Sequence, residues 1–337
     1  MNVGCIRRSK KPGHIAKTLA IVSKYYDVEL VYINPEDIEI GNDKVEGRIL
    51  VKDKWVRKEV ELPRFIDVKS TLFSYKKHRK KLRYLSKKST LSVNKRLPLP
   101  KDQLYDSFGN DSDISPYLIP TKTVENTDDI FQMIKSYRKV VIKPVRSNGG
   151  KNVIIMNKQG TKYVLGLGKE LITMSARKFK KFYKEKYKSA NVIVQKYIES
   201  ADSHGNPIDC RIHVEKDING KWNNVDNFVR IGVGEKVVSN ISQGGGVADA
   251  KKYLKFRYEE NWVNVYKKIQ EIAEKLPYKV EKLLGRKYMT LGFDIGMDKE
   301  GNLYLFEIND CPIVSPIISK VALSRAGYYR YMLDNLK

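Results

Sequence analysis

The 337-residue chain is 41% hydrophobic and 31% charged, a balance that supports buried cores and excludes a disordered polar chain. No apolar run approaches the about 20 residues of a membrane helix, and the basic stretch 1–17 lacks a signal-peptide core, so a cytoplasmic protein without a membrane span is expected. A net charge of +25 attracts polyanions in general, and charge alone does not choose between nucleic acid, ATP and an acidic substrate.

In chain order, Met1 to Ile6 reads as a strand, Ile15 to Tyr26 as an amphipathic helix and Val28 to Ile33 as a β-branched strand. Ile38 to Trp55 breaks into short strand-like pieces at Gly41 and Gly47, and Leu62 to Asp67 predicts a strand ending at a loop. Together these make a small α/β domain over residues 1–97. Residues 76–88, KKHRKKLRYLSKK, put Leu82 and Leu85 on one side of a basic helix, whose charged face reads first as solvated and second as a polyanion patch. Leu97-Pro98-Leu99-Pro100 marks a boundary, and a polar loop follows from Asp106 to Ser115. Thr127 to Tyr137 reads as a helix with Thr127 as N-cap and Asp128 and Asp129 in its first turn. Phe179, Phe182, Tyr183 and Tyr187 recur at helical spacing, which favours a buried aromatic stripe over base stacking. Cys5, Cys210 and Cys311 fit no disulfide framework or CxxC spacing, and His14, His78, His204 and His213 form no HExxH pair, so zinc is not expected.

The segment Met289 to Pro312 is the most informative. Thr290 to Met297 and Leu303 to Asn309 are alternating runs around a turn containing Gly301, the pattern of a β-hairpin. Glu307 and Asn309 are two apart and share a face, and pairing across the turn brings Asp294 near them. Two carboxylates and an amide oxygen on a rigid sheet suit Mg²⁺ shared with substrate phosphates; the plainer reading is the polar face of an exposed hairpin.

Upstream, the strand Val140-Val141-Ile142-Lys143-Pro144 ends in a lysine and precedes a loop with Gly149 and Gly150. Such a loop can cradle phosphates through backbone N–H groups, although no Walker A pattern is present. Val192 to Glu199 is another strand ending in polar residues. Asp209, Arg211 and His213 share one strand face, Arg230 adds a second arginine, and Val237 to Gly246 ends in a second glycine-rich loop. Arginines near a transferred phosphate neutralise developing charge, though each alone is more often a surface ion pair.

The order of these pieces resembles the ATP-grasp superfamily: a lysine-ended strand, a glycine loop, Q-K-Y-I, D-x-R, a second arginine, S-N-x-x-x-G-G and F-E-I-N. Within it the chain is similar to the YheC/YheD spore-coat-associated type and also to RimK-like amino-acid ligases, over about residues 98–325. The resemblance implies an α+β ATP-grasp fold over residues 98–337, with two α+β subdomains (roughly 98–193 and 194–337) gripping ATP, preceded by a small α/β pre-ATP-grasp domain. It implies Lys143 at the α/β-phosphates, with Lys101 or Lys95 as the other ATP lysine, and Gly149 and Gly150 in the flap over the phosphates. Gln195, Tyr197 and Ile198 would form the hinge at adenine, and Glu199 or Asp202 would hold the ribose. Arg211, Arg230 and Asn240 would bind the γ-phosphate or acyl phosphate, and Asp294, Glu307 and Asn309 would hold Mg²⁺. Some members carry an arginine at the position of Gly292, so Arg211 and Arg230 would supply that charge here.

The expected function is therefore an ATP- and Mg²⁺-dependent carboxylate–amine ligase working through an acyl phosphate, its acceptor an amino acid, a peptide or an anionic polymer. A peptide-modifying ligase making side-chain amides or esters is one alternative, and a non-catalytic spore-coat or envelope component that binds ATP is another. A nucleic-acid binder rests on charge alone and lacks any RNP, KH or zinc pattern.

Overall fold

The computed structural model describes residues 1–95, 107–145, 152–168, 170–187, 190–232 and 245–336. Its architecture is α+β, with three sheets taken in sequence order. The first contains β1 (Asn2–Ile6), β2 (Glu29–Ile33), β3 (Lys44–Val51), β4 (Lys54–Glu61), β5 (Phe65–Val68) and β6 (Thr90–Leu91), in the order β4-β3-β2-β1-β5-β6. β1 pairs in parallel with both β2 and β5, and helix α1 (His14–Tyr25) makes the crossover from β1 to β2. The break expected at Gly47 is absent, because β3 runs through it. A Cβ there would lie 2.3 Å from Val31 Cγ1, so glycine is what lets β3 close on β2. A short 3₁₀ turn, Lys76–His78, leads into α2 (Arg79–Lys88), which buries Leu82 and Leu85 beside Val68 and Leu72 and leaves most of its basic face exposed.

The second sheet runs β11-β10-β9-β8-β12-β7. Its strands are β7 (Thr121–Thr123), β8 (Lys139–Pro144), β9 (Ile154–Gln159), β10 (Lys162–Leu167), β11 (Glu170–Met174) and β12 (Val192–Lys196), packed by α3 (Thr127–Tyr137) and α4 (Ala176–Lys186). The N-cap of α3 is Asn126, not Thr127. The Asn126 side chain accepts from the Asp128 N–H at 2.8 Å, and Asp129 accepts in return from the Asn126 N–H at 3.0 Å. The aromatic stripe of α4 is a core feature: Phe179 is buried against Phe131 and Tyr183, and Tyr183 meets Tyr187.

The third sheet is wholly antiparallel, in the order β15-β14-β13-β16-β17. It comprises β13 (Ile208–Lys216), β14 (Trp222–Ile231), β15 (Gly246–Asp249), β16 (Thr290–Met297) and β17 (Leu303–Asn309). Helices α5 (Ala250–Tyr258) and α6 (Trp262–Leu284) cover one face, where Val265, Ile269, Ile272 and Leu276 join Ile212, Val214, Leu291 and Phe293 in one core. On the other face Phe228 packs with Ile317 and Val321, and the polar residues of the sheet stand beside that small cluster. The last helix, α7 (Ile318–Asn335), returns to the first sheet: Ala322, Tyr328, Tyr329 and Leu333 share a core with Val3, Leu19, Leu30 and Phe65. The C-terminal helix, at the end of the 98–337 span, thus completes the core of the N-terminal sheet.

Candidate functional site

All nine residues of β13 are buried. Cys210, Ile212 and Val214 belong to the apolar core, so Asp209, Arg211, His213 and Glu215 occupy the opposite face. Register places Arg211 opposite Asp294 and His213 opposite Gly292. It also places Glu307 opposite Asp294, Asn309 opposite Gly292 and Arg230 opposite Asp209. Directly opposed residues share a face. Asp294, Glu307 and Asn309 therefore stand together, with both arginines beside them. The β16–β17 hairpin turns through Gly301 at φ +82°, and a register shift after Asp294 leaves Phe306 as the extra residue between Glu307 and Leu305.

Asp294 is the centre of the charge arrangement. Its Oδ1 accepts from Arg211 Nε at 2.5 Å, and its Oδ2 lies 2.9 Å from Arg230 Nη2 and 3.4 Å from Asn309 Nδ2. Arg230 also donates to both oxygens of Asp209, at 2.7 and 2.8 Å. Asp209, Arg211, Arg230 and Asp294 are each less than a tenth exposed, so both arginines form buried ion pairs, unlike the usual surface pair. Burial would push the Asp294 carboxyl up, but Arg211 and then Arg230 hold it below its ordinary value, so it is ionised at neutral pH. A Cβ on Gly292 would meet Pro312 Cβ at 2.7 Å and Arg211 Cδ at 3.4 Å. The missing side chain thus leaves room for Arg211 to pass over that position from the neighbouring strand.

The donor set fits Mg²⁺. Among the described residues no group of three or more His, Cys, Asp or Glu gathers around one point, so Asp294 and Glu307 need Asn309 and substrate oxygens to complete a shell. That is the usual way Mg²⁺ is held, by one or two carboxylates plus phosphates. A carboxylate offers about four lone-pair sites, so the arginine pairs leave Asp294 coordination capacity. Glu307 and Asn309 are half-buried and open towards solvent.

On the second sheet, Val140 and Ile142 enter the core, and Lys139, Val141 and Lys143 alternate to the other face. β12 sets Ile193 opposite Lys143 and Gln195 opposite Val141. Gln195 is buried and its Nε2 donates to Thr121 Oγ1 at 2.7 Å, which ties it to β7. The Tyr197 N–H donates to the Lys139 carbonyl at 3.0 Å, and the Ile198 carbonyl accepts from the Ser200 N–H at 2.9 Å. Tyr197 and Ile198 thus already use one backbone group each. Asp202 accepts from the His204 and Asn206 N–H groups and from Asn206 Nδ2, so both its oxygens serve its own turn. Glu199 is exposed beside Tyr197. Lys95 is exposed, whereas Lys101, Gly149, Gly150 and Asn240 lie outside the described residues.

Two features escaped the sequence reading. Lys139 sits with its Nζ 3.8 Å from the Tyr197 ring centroid, and burial lowers its pKa against the pull of Glu199. Its period-two spacing from Lys143 was the available signal. The second is a buried ionic chain behind the site. His213 Nε2 is 2.8 Å from Glu215 Oε1, which also accepts from Thr290 Oγ1 at 2.7 Å and Arg325 Nη2 at 2.6 Å. Arg325 lies 3.9 Å from Asp67, which pairs with Arg7 at 2.7 Å and accepts from the Tyr329 hydroxyl at 2.6 Å. Glu215 and Arg325 are 110 positions apart, and no local pattern links them.

The family model for YheC/D-like ATP-grasp proteins matches residues 90–331. The endospore coat-associated protein YheC of Bacillus subtilis (strain 168) is 24% identical over 299 residues, covering 85% of this chain and 81% of its own. Among solved structures, the ATP-grasp ligase PsnB complexed with precursor peptide PsnA2 and AMPPNP superposes with a TM-score of 0.55 at 10% identity, covering 98% of each chain. D-cycloserine synthetase DcsG gives 0.53 at 14% identity, covering 97% of this chain and 99% of that one. At such identities the two structures establish a shared fold.

Proposed function

Because the chain belongs to the YheC/D-like ATP-grasp family, we propose that it is an ADP-forming ligase joining a carboxylate to an amine through an acyl phosphate. The observation that carries this reading is the single-face row of Arg211, Asp294 and Glu307, with Asn309 next to it and Arg230 behind. In this reading a substrate carboxylate oxygen forms a bond to the γ-phosphorus of ATP as the bond to the ADP oxygen breaks. An amine nitrogen then attacks the acyl carbon, phosphate leaves, and the nitrogen loses a proton.

Asp294, Glu307 and Asn309 would hold Mg²⁺, which supplies charge neutralisation at phosphate oxygens when bound. Arg211 uses its Nε on Asp294 and would offer its terminal nitrogens to an oxyanion, while Arg230, locked to Asp209, helps hold Asp294 ionised. Lys143 faces the nucleotide side of the second sheet, and Lys101, Gly149, Gly150 and Asn240 complete the phosphate cradle in this proposal. The Tyr197 carbonyl and the Ile198 N–H are the hinge groups left for the adenine edge, and Glu199 replaces Asp202 as the ribose carboxylate. No thiol nucleophile is involved, since burial pushes the Cys311 thiol above its ordinary value and keeps it protonated. Glu307→Ala should abolish ADP release while circular dichroism and melting stay close to wild type; undiminished ADP release from that variant would refute the metal assignment.

A peptide acceptor is supported by the precursor peptide bound to PsnB, and an association with the spore coat by the description of YheC. Incubation with candidate peptides, read as loss of one water per link in mass spectrometry, separates peptide modification from small-molecule ligation. Titration calorimetry showing no Mg²⁺-dependent ATP binding would instead favour a non-catalytic coat component.

A further inference from the structure

Ligands of open parallel sheets gather outside the carboxyl ends of the strands, where strand order turns back. In the first sheet that point is β1, with β2 on one side and β5 on the other. The segment leaving β1, residues 7–13, reads RRSKKPG and is built in place. Buried Asn34 donates to the Arg8 carbonyl at 2.9 Å, the Tyr32 hydroxyl donates to the Ser9 carbonyl at 2.7 Å, and Ser9 Oγ donates to the Lys11 carbonyl at 2.7 Å. Arg8 reaches across to the Tyr75 hydroxyl at 2.6 Å, its guanidinium 4.7 Å from the ring centroid, and so joins the loop after β1 to the loop after β5.

Lys10, Lys11, Lys69 and Lys76 stand exposed on this rim, and among the described residues none of them has a carboxylate partner. Their neighbour Lys77 differs, pairing with Glu36 at 2.7 Å. α1 begins at Gly13 with no side-chain cap and no acid in its first turn, which adds potential of the same sign. The rim also looks towards the ATP site. The Arg7–Asp67–Arg325–Glu215 chain runs from the first residue after β1 to β13, the strand that carries Arg211, and so fixes the rim to it.

We propose that this rim docks an acidic peptide, holding several of its carboxylates while one is presented for phosphorylation at the Asp294–Glu307 face. The inference rests on the ligase reading and names its substrate class. A phosphorylated carboxylate requires a carboxylic acid, which polyphosphate and nucleic acid lack. The rim draws its lysines from the segments after two adjacent strands, β1 and β5, about 4.8 Å apart, so several cations stand side by side and match a chain of carboxylates better than a single one.

The test uses the full chain and a fluorescent octaglutamate, with octaglutamine as the uncharged control. Binding is followed by anisotropy at low and high salt. Wild type should bind octaglutamate in a salt-sensitive manner and ignore octaglutamine. K10Q/K11Q/K69Q/K76Q should weaken binding about tenfold, the combined effect of four exposed charge pairs, with melting unchanged. R177Q/K178Q/K181Q/K184Q removes the same charge from the exposed face of α4 and should bind like wild type. Equal loss in both variants, or loss in neither, overturns the proposal. Tighter rim-dependent binding of polyphosphate or an oligonucleotide overturns the peptide assignment. Mg²⁺-dependent ATP binding on the same samples reads the ligase site independently: its absence with rim binding intact removes only the ligase reading.

Discussion

Arg211, Arg230 and Arg325 on one side, and Lys10, Lys11, Lys69 and Lys76 on the other, carry the same charge in opposite circumstances. The arginines are buried and each is held by at least one carboxylate within 2.9 Å; the lysines are exposed, and among the described residues they have no carboxylate partner. The net charge of +25 is therefore two properties in one number. The buried cations fix geometry, and their removal should be felt in stability. The exposed cations shape the field around the molecule, and their removal should be felt in association.

The sharpest way to break this contrast is at Glu215. It is fully buried and accepts from His213, Thr290 and Arg325. Glu215→Ala leaves the Arg325 guanidinium without its nearest counter-ion in a dry interior, which should cost about 3–5 kcal/mol. Chemical denaturation reads this directly. A loss below about 1 kcal/mol would mean that water reaches Arg325 and that the two sets of cations do not differ as described.

How much of this was legible depended on sequence distance. The β16–β17 hairpin was readable because Asp294, Glu307 and Asn309 interrupt clean apolar alternations around the turn at Gly301, and register then put them on one face. The polar face of β13 was readable as far as His213 for the same reason. The pairing of Arg230 with both Asp209 and Asp294 was not, since it depends on β13 lying between β14 and β16. The ionic chain was illegible for a stronger reason: Asp67, Glu215 and Arg325 come from three distant segments and meet only because α7 returns to the first sheet. Gly47 and Asn126 show the local limit. A glycine inside a strand looks like a break until Val31 is seen beneath it, and a cap can move one residue when Asn and Thr are adjacent.

A smaller effect tests the buried set by pH. Burial lowers the pKa of His213 from 6.5 despite the opposing pull of Glu215, so the folded ring is neutral where the unfolded one begins to take up a proton. The unfolded state then binds more protons, and stability falls as pH drops below about 6.5 towards the folded value. Glu215, Asp67 and Asp294 add a second loss at lower pH: burial would raise each carboxyl, but neighbouring arginines hold all three below their ordinary values of 4.5, 3.8 and 3.8. Melting temperature should therefore decline in two stages on acidification. His213→Gln should flatten the upper stage and leave the lower one. A wild-type melting curve level between pH 7 and 5 would show that His213 is free to ionise in place.

The smallest expected effect belongs to the exposed set, and it completes the contrast. Exposed charges without partners contribute within about 0.5 kcal/mol each to folding, and like charges on one rim repel. K10Q/K11Q/K69Q/K76Q should thus leave stability unchanged or raise it slightly, and should weaken the salt dependence of melting. Screening acts on separated exposed charges within a Debye length of about 8 Å at physiological ionic strength, and far less on the buried pairs. Melting in 50 mM and 500 mM salt, comparing this variant with wild type and with Glu215→Ala, distinguishes the two. If added salt stabilises wild type but not the lysine variant, the repulsion resides on the rim. If the Glu215→Ala defect responds to salt as strongly as the lysines do, the buried chain is open to solvent, and the ties from the rim to β13 are weaker than their distances imply.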